Sequence, residues 1–290
     1  MSQLFNQPTV TLNNRIQMPV VGFGVFQIPD LEQCQEVVEE AIRVGYRHFD
    51  TAQIYGNEVA VGKAIKASGL PREEFFITTK LWVSDFSYEG AKEAFTTSLE
   101  RLDMDYVDLY LIHQPFGDIF GAWRAMEELY KEGKIRAIGV SNFKSDQLAN
   151  LAVFNEVTPA VNQIELHVFN QRDEERAYMA EKGVVAESWG ALAAGQFDVF
   201  SNPVLVEIAG KYGKTTSQVM LRWHLQSGLV SLAKSVTPTR IQENFDIFDF
   251  ELSAEDMKKI TTLNTNTTLF EDHHSAKAVE IIAGFVGKSF

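Results

Sequence analysis

A chain of 290 residues, 45% hydrophobic and 22% charged, has room for one large domain or two ordinary ones. Its net charge of −13 argues against nucleic acid and anionic membrane as partners, since both select cationic surfaces. No apolar run approaches the ~20 residues that span a bilayer, "MSQLFNQPTV" lacks the blocks of a signal peptide, and the single cysteine, Cys34, forms no internal disulfide; a soluble cytoplasmic protein is expected.

"TVTLNNRIQMPV" predicts a hairpin turning at Asn13-Asn14. A unit then recurs: a short apolar, often β-branched run, a loop, and a longer segment of helical spacing. The runs are Met18–Gly24, Tyr46–Asp50, Phe75–Lys80, Val107–His113, Ile135–Val140, Ala160–Leu166, Gly183–Trp189 and Leu229–Lys234. In the first helical stretch, Leu31, Cys34, Val37, Val38, Ala41 and Ile42 share one face, and Gly45 stands where a C-terminal cap belongs. "NPVLVEIAGKYG" and "TSQVMLRWHLQSG" predict two helices before the last strand. "SAEDMKKITTL" predicts another, with Ser253 as N-cap and Glu255 and Asp256 in its first turn. A tail of about 25 residues follows, long enough to serve as a lid.

Eight such units predict an α/β fold of the (β/α)8 TIM-barrel type, a single domain over residues 1–290, with the hairpin closing the bottom. A doubly wound sheet is the alternative. "GFGVFQ" hints at a dinucleotide fingerprint, but its third glycine is missing and no helix starts at once.

Chemistry in a barrel of this kind sits at the carboxyl ends of the strands. Those ends carry Asp50, Lys80, His113, Ser141-Asn142, Asn162-Gln163, Trp189 and Lys234-Ser235. Polar groups beside an apolar core must be paired or used. Asp50 and Lys80 alone could be a register-fixing ion pair. With Tyr55 one loop away and His113 on the next strand, they suggest proton delivery. An ammonium near a phenol lowers its pKa from about 10 and makes it a better general acid. Farther on, "KSVTPTR" places Thr237 at an N-cap and Pro238 at the first helical position, between Lys234 and Arg240. A helix start flanked by two cations is an anion site.

In order along the chain, "GFGVFQ", "YRHFDTAQIYGNEVAVGKAI", "FFITTKLW", "VDLYLIHQP", "AIGVSNF", "NQIELH" and "KSVTPTRIQENFDIFDFEL" resemble the successive motifs of the aldo-keto reductase superfamily. The resemblance covers Pro19 to Leu252, and the tail containing "DHH" is similar to bacterial aldehyde and 2,5-diketo-D-gluconate reductases. It implies a barrel that reduces aldehydes and ketones with NADPH. Tyr55 would be the proton donor, Lys80 and Asp50 would tune it, and His113 would orient the substrate carbonyl. Ser141, Asn142 and Gln163 would hold the nicotinamide carboxamide, Trp189 would stack on its ring, and Gly190 and Leu192 would flank the pyrophosphate. Lys234, Ser235 and Arg240 would bind the 2′-phosphate of NADPH/NADP+, Glu243 and Asn244 its adenine. Phe26, Trp82 and His113 would line the substrate pocket.

The chain departs from the family pattern at Gln114, at Leu232-Ala233 and at "GALAAG", where Gly190 replaces a serine. No metal is expected: the six histidines lack ligand spacing, His273-His274 belongs to a polar tail, and His167 beside Glu165 suggests structure. The expected partner is a small carbonyl substrate, and the expected state a monomer. A barrel that binds NADPH and reports to a partner without turnover is the competing reading; the complete Asp50, Tyr55, Lys80 and His113 set favours the enzyme.

Overall fold

The computed structural model describes residues 7–196, 198–268 and 272–286. The ends of the domain expected over 1–290, most of the opening decapeptide and parts of the tail lie outside the described residues.

The first apolar run divides in two. Gln17–Pro19 (β2) pairs antiparallel with Thr9–Thr11 (β1), and Val21–Gly24 (β3) begins the barrel. Pro19 has no N–H to extend a ladder, so the chain changes sheets there. The hairpin turns at Asn13-Asn14 as expected: the Leu12 N–H donates to the Ile16 carbonyl (2.9 Å), and Arg15 takes the left-handed conformation at φ 72°.

The remaining runs form His48–Asp50 (β4), Phe76–Leu81 (β5), Val107–Ile112 (β6), Ile135–Ser141 (β7), Val161–Glu165 (β8), Val185–Trp189 (β9) and Val230–Ala233 (β10). All eight barrel strands are parallel, and β10 pairs with β3 to close the circle. The outer ring is α1 (Leu31–Val44), α2 (Glu58–Ala67), α3 (Tyr88–Leu102), α4 (Ile119–Lys131), α5 (Ser145–Val153), α6 (Asp173–Glu181), α7 (Pro203–Tyr212), α8 (Thr216–Gln226) and α9 (Pro238–Phe245). α10 (Ala254–Thr261) follows, and α11 (Ala276–Ala283) lies within the tail.

Local chemistry sets these boundaries. Asp30 caps α1 by accepting from the Gln33 N–H (2.8 Å). Gly45 ends it at φ 125°, where an added Cβ would meet the Phe245 ring at 2.9 Å. Cys34, Val37, Val38, Ala41 and Ile42 are buried as their spacing predicts, but Leu31, in the first turn, stays exposed. Ser253 caps α10 through the Asp256 N–H (3.2 Å). The tail helix was not expected; Ser275 caps it through the Ala278 N–H (3.1 Å).

The hairpin seals the amino end of the barrel. Leu12 and Met18 pack on Phe76, Leu109, Val161 and Val230, near the beginnings of their strands. Burying a side chain of that size contributes about 1.5–3 kcal/mol. Asn14 fastens the plug by donating to the Arg136 carbonyl (2.8 Å), and Asn13 by donating to Pro159 (3.1 Å). Among the described residues no helix is long and apolar enough to cross a membrane.

Candidate active site

β4 delivers Asp50 to the barrel mouth, and a short loop carries Tyr55 above it. Asn57 holds that loop: its amide donates to the Val25 and Ile28 carbonyls (2.9 and 3.1 Å) and its oxygen accepts from Thr51 Oγ1 (2.8 Å). A tight turn over Gln53–Tyr55 ends at Gly56, in the left-handed conformation at φ 68°. Lys80, fully buried on β5, donates to Asp50 Oδ1 (2.6 Å) and the Thr51 carbonyl (2.9 Å), and reaches the Tyr55 hydroxyl at 3.5 Å. His113 follows β6, its N–H donating to the Leu81 carbonyl (3.1 Å). Its ring lies 5.7 Å from that of Tyr55 and 4.9 Å from that of Trp82.

The electrostatics differ from expectation at one point. Burial raises the Tyr55 phenol and outweighs the pull of Lys80, which lowers it, so the phenol lies above its ordinary value. The lysine acts in the expected direction but does not win. Burial alone would lower the Lys80 ammonium; Asp50 and then Tyr55 reverse that and hold it raised. His113 is pushed well below its ordinary value, first by burial and then by Lys80. At neutral pH the site therefore holds a protonated phenol, a charged lysine and a neutral imidazole.

Gln163 and a carboxyl missed by the sequence reading lie beneath these groups. The Gln163 amide nitrogen donates to Asp50 Oδ2 (2.9 Å) and to Glu187 Oε2 (2.9 Å). Glu187 is buried on β9, facing His48. The available signal was an acid inside an apolar run, "GVVAESW", where an outward-facing position was equally open. Asn57 and Gln53 were also missed; Gln53 accepts from the Trp82 N–H (3.0 Å).

The expected nicotinamide holders converge on one side of the mouth. Ser141 Oγ donates to the Gln163 carbonyl (2.8 Å). Asn142, at φ 64°, donates to the His113 carbonyl (3.2 Å) and accepts from Trp189 Nε1 (2.9 Å). Gly190 follows at φ 69°, and half-buried Leu192 packs on the core. Lys234 and Arg240 are exposed at the start of α9. Ser235 Oγ accepts from the Thr237 N–H (3.1 Å). Thr237 is the N-cap residue, yet its side chain makes no cap hydrogen bond. Two cations beside first-turn amides left uncapped by Thr237 fit a phosphate. Glu243 is exposed on α9, whereas Asn244 is turned inward and buried.

Aromatic rings wall the substrate side. Phe26 is exposed and packs on Tyr55 at 4.9 Å between centroids, while Trp82 is buried. Among the described residues, Trp82 Nε1 and His113 Nδ1 have no hydrogen-bond partner. The tail crosses this side: the Phe285 ring lies 5.8 Å from Trp82, and His274 lies 6.4 Å from Phe116. His273 stacks on Trp189 at 5.8 Å, so this part of the tail reaches the mouth. Among the described residues no cluster of three His, Cys, Asp or Glu is arranged to hold a metal. His167 is buried against Glu165 (3.0 Å).

The family model for the aldo/keto reductase family matches residues 20–265. A glyoxal reductase of Bacillus subtilis is 51% identical over 257 residues, 88% of this chain and 92% of the relative. A methylglyoxal reductase of Escherichia coli is 45% identical over 270 residues, covering 92% and 97% of the two chains. The crystal structure of a Bombyx mori aldo-keto reductase in complex with NADP superposes with a TM-score of 0.87 at 32% identity, over 92% of this chain and 96% of that one.

Proposed function

The chain belongs to the aldo/keto reductase family and is an NADPH-dependent reductase of aldehydes and ketones; on that premise we propose that Tyr55 protonates the carbonyl oxygen and that the substrates are small α-oxo aldehydes. The observation that carries the assignment is the Asp50–Lys80–Tyr55 chain, with contacts of 2.6 and 3.5 Å.

NADPH, when bound, supplies the hydride. Ser141, Asn142 and Gln163 would hold its carboxamide, Trp189 would pack on the ring, and Gly190 and Leu192 would flank the pyrophosphate. Lys234, Ser235 and Arg240 would take the 2′-phosphate, and Glu243 and Asn244 the adenine. The substrate oxygen lies between the Tyr55 hydroxyl and His113. As negative charge builds on that oxygen, the phenol releases its proton to it, and the Lys80 ammonium stabilises the phenolate left behind. Asp50 keeps Lys80 charged. A neutral His113 can donate an N–H without competing as an acid.

Support for α-oxo aldehydes is twofold. Relatives bear the names glyoxal reductase and methylglyoxal reductase. Trp82 Nε1, beside His113, offers a donor for a second carbonyl oxygen, with Phe26 and Phe285 as apolar walls. The acidic chain with one buried thiol suits a cytoplasmic monomer. NADPH oxidation is to be followed with glyoxal, methylglyoxal, a nitrobenzaldehyde and a keto sugar, wild type beside Tyr55→Phe. Turnover lost with the phenol upholds the assignment. Tight NADPH binding without any turnover moves the protein to a cofactor-binding accessory role.

A further inference from the structure

One buried carboxyl below the reacting groups has no part in the chemistry described above. Glu187 Oε2 accepts from the Gln163 amide that also binds Asp50, so the chain Tyr55–Lys80–Asp50–Gln163–Glu187 is continuous. Glu187 Oε1 has no hydrogen-bond partner among the described residues and lies 3.6 Å from His48 Nε2.

The histidine decides the protonation of the acid. His48 Nδ1 lies 3.3 Å from the Pro19 carbonyl, which only accepts, so Nδ1 carries the hydrogen. Burial drives His48 down to about 3, so Nε2 presents a lone pair rather than a hydrogen, with Thr78 Oγ1 3.3 Å away. The ring cannot move away toward β3, because it packs against Gly22, where even an added Cβ would fall 2.7 Å from Nδ1. An ionised Glu187 would set a carboxylate oxygen against that lone pair while sharing one amide with the Asp50 carboxylate. A protonated Glu187 removes both repulsions.

The other surroundings add little countercharge. β4 presents His48 and Asp50, and β5 presents Lys80, already held by Asp50. On β8, Glu165 stands one step nearer the mouth, opposite Trp189, and is bonded to His167 and Thr268. β10 sets uncharged Val230 and Ser231 beside Glu187 and Ser188. Burial, then Asp50, push the Glu187 carboxyl up to about 8, against the opposing pull of Gln163 and Lys80.

We propose that Glu187 is a positioning residue held as the neutral acid during carbonyl reduction, and that its ionisation at raised pH makes Tyr55 a weaker proton donor. The inference rests on the role given to Tyr55 above. Loss of the Oε1 proton to solvent places a second negative charge below the Asp50–Lys80 pair. That charge tightens the hold on the Lys80 ammonium and opposes formation of the phenolate.

The test is kcat for carbonyl reduction at saturating NADPH between about pH 6 and about pH 10, for wild type and Glu187→Gln. The wild-type rate is expected to fall about tenfold through an inflection near pH 8, and the inflection is expected to vanish in the variant. In parallel, pH-difference infrared spectra of the wild type should show a carboxylic-acid C=O band disappearing with the same midpoint. An inflection shared by both proteins, or a wild-type spectrum in which no carboxyl band titrates, overturns the proposal. If Glu187→Gln does not fold, the wild-type spectrum beside that of Glu187→Asp decides. If no carbonyl is reduced at all, the Tyr55 reading fails, while the infrared titration still reports whether Glu187 is held as the acid.

Discussion

Two buried aspartates, one at each end of the barrel wall, meet cations at nearly the same distance and do different work. Near the amino end, Asp108 accepts from Arg72 and Arg136 (2.7 Å each) and from the Ile77 N–H (2.9 Å). Both of its oxygens are engaged by scaffold groups. At the mouth, Asp50 is as fully engaged, by Lys80 (2.6 Å) and the Gln163 amide (2.9 Å), but the rings around it are not. His113 Nδ1, Trp82 Nε1 and Glu187 Oε1 have no partner among the described residues. Buried charge by itself marks neither end as a site. Arg72 Nε beside Asp108 is unpartnered too among the described residues, so it is the gathering of ring donors, Trp82 Nε1 and His113 Nδ1, at the open mouth that marks the site.

The contrast can be broken by mutation. Tyr55→Phe, at the mouth, should lower kcat by about 10²–10⁴-fold while leaving NADPH affinity and the thermal midpoint nearly unchanged; steady-state rates, fluorescence titration and calorimetry read the three quantities. Asp108→Ala, at the base, should cost about 3–5 kcal/mol of unfolding free energy in urea and leave kcat per folded molecule intact. A fall in kcat there would mean that the two ends are not separable. Arg240→Ala should weaken NADPH about 10- to 100-fold, the range of a lost charge-assisted contact, with NADH little affected. Equal losses for both cofactors would remove the 2′-phosphate from this site. The smallest effect is expected at the tail. Phe285→Ala, which deletes the ring against Trp82, should raise KM for an aromatic aldehyde about 2- to 10-fold, with kcat changed less.

Legibility in the sequence followed the same division. The eight strands could be read because each is a short apolar run bounded by a loop, and α1 because its buried face repeats at helical spacing. Asp50, Lys80 and His113 could be read because each stands at the end of such a run. Glu187 and His48 could not. Which face of a short strand turns inward depends on how the barrel closes, and "GVVAESW" and "YRHFD" carry no alternation to settle it. The split at Pro19 was hidden because "MPVVGFG" is apolar on both sides of the break. Tyr55 shows another limit: the cation beside it was legible, but the burial that outweighs the cation is a property of the assembled mouth. The tail helix could not be read because it buries only Ala278, so no repeating core face marks it.

The hairpin plug has a consequence for traffic. With Leu12 and Met18 covering the amino end of a packed interior, the mouth is the end at which a ligand would enter and leave. If the nucleotide is held below the substrate, as the roles proposed above for Trp189 and Tyr55 would have it, the two would form a queue: the first to arrive would be the last to depart. Reaction velocity at high substrate would be governed by how quickly the spent nucleotide escapes, and an excess of alcohol product would hold it inside.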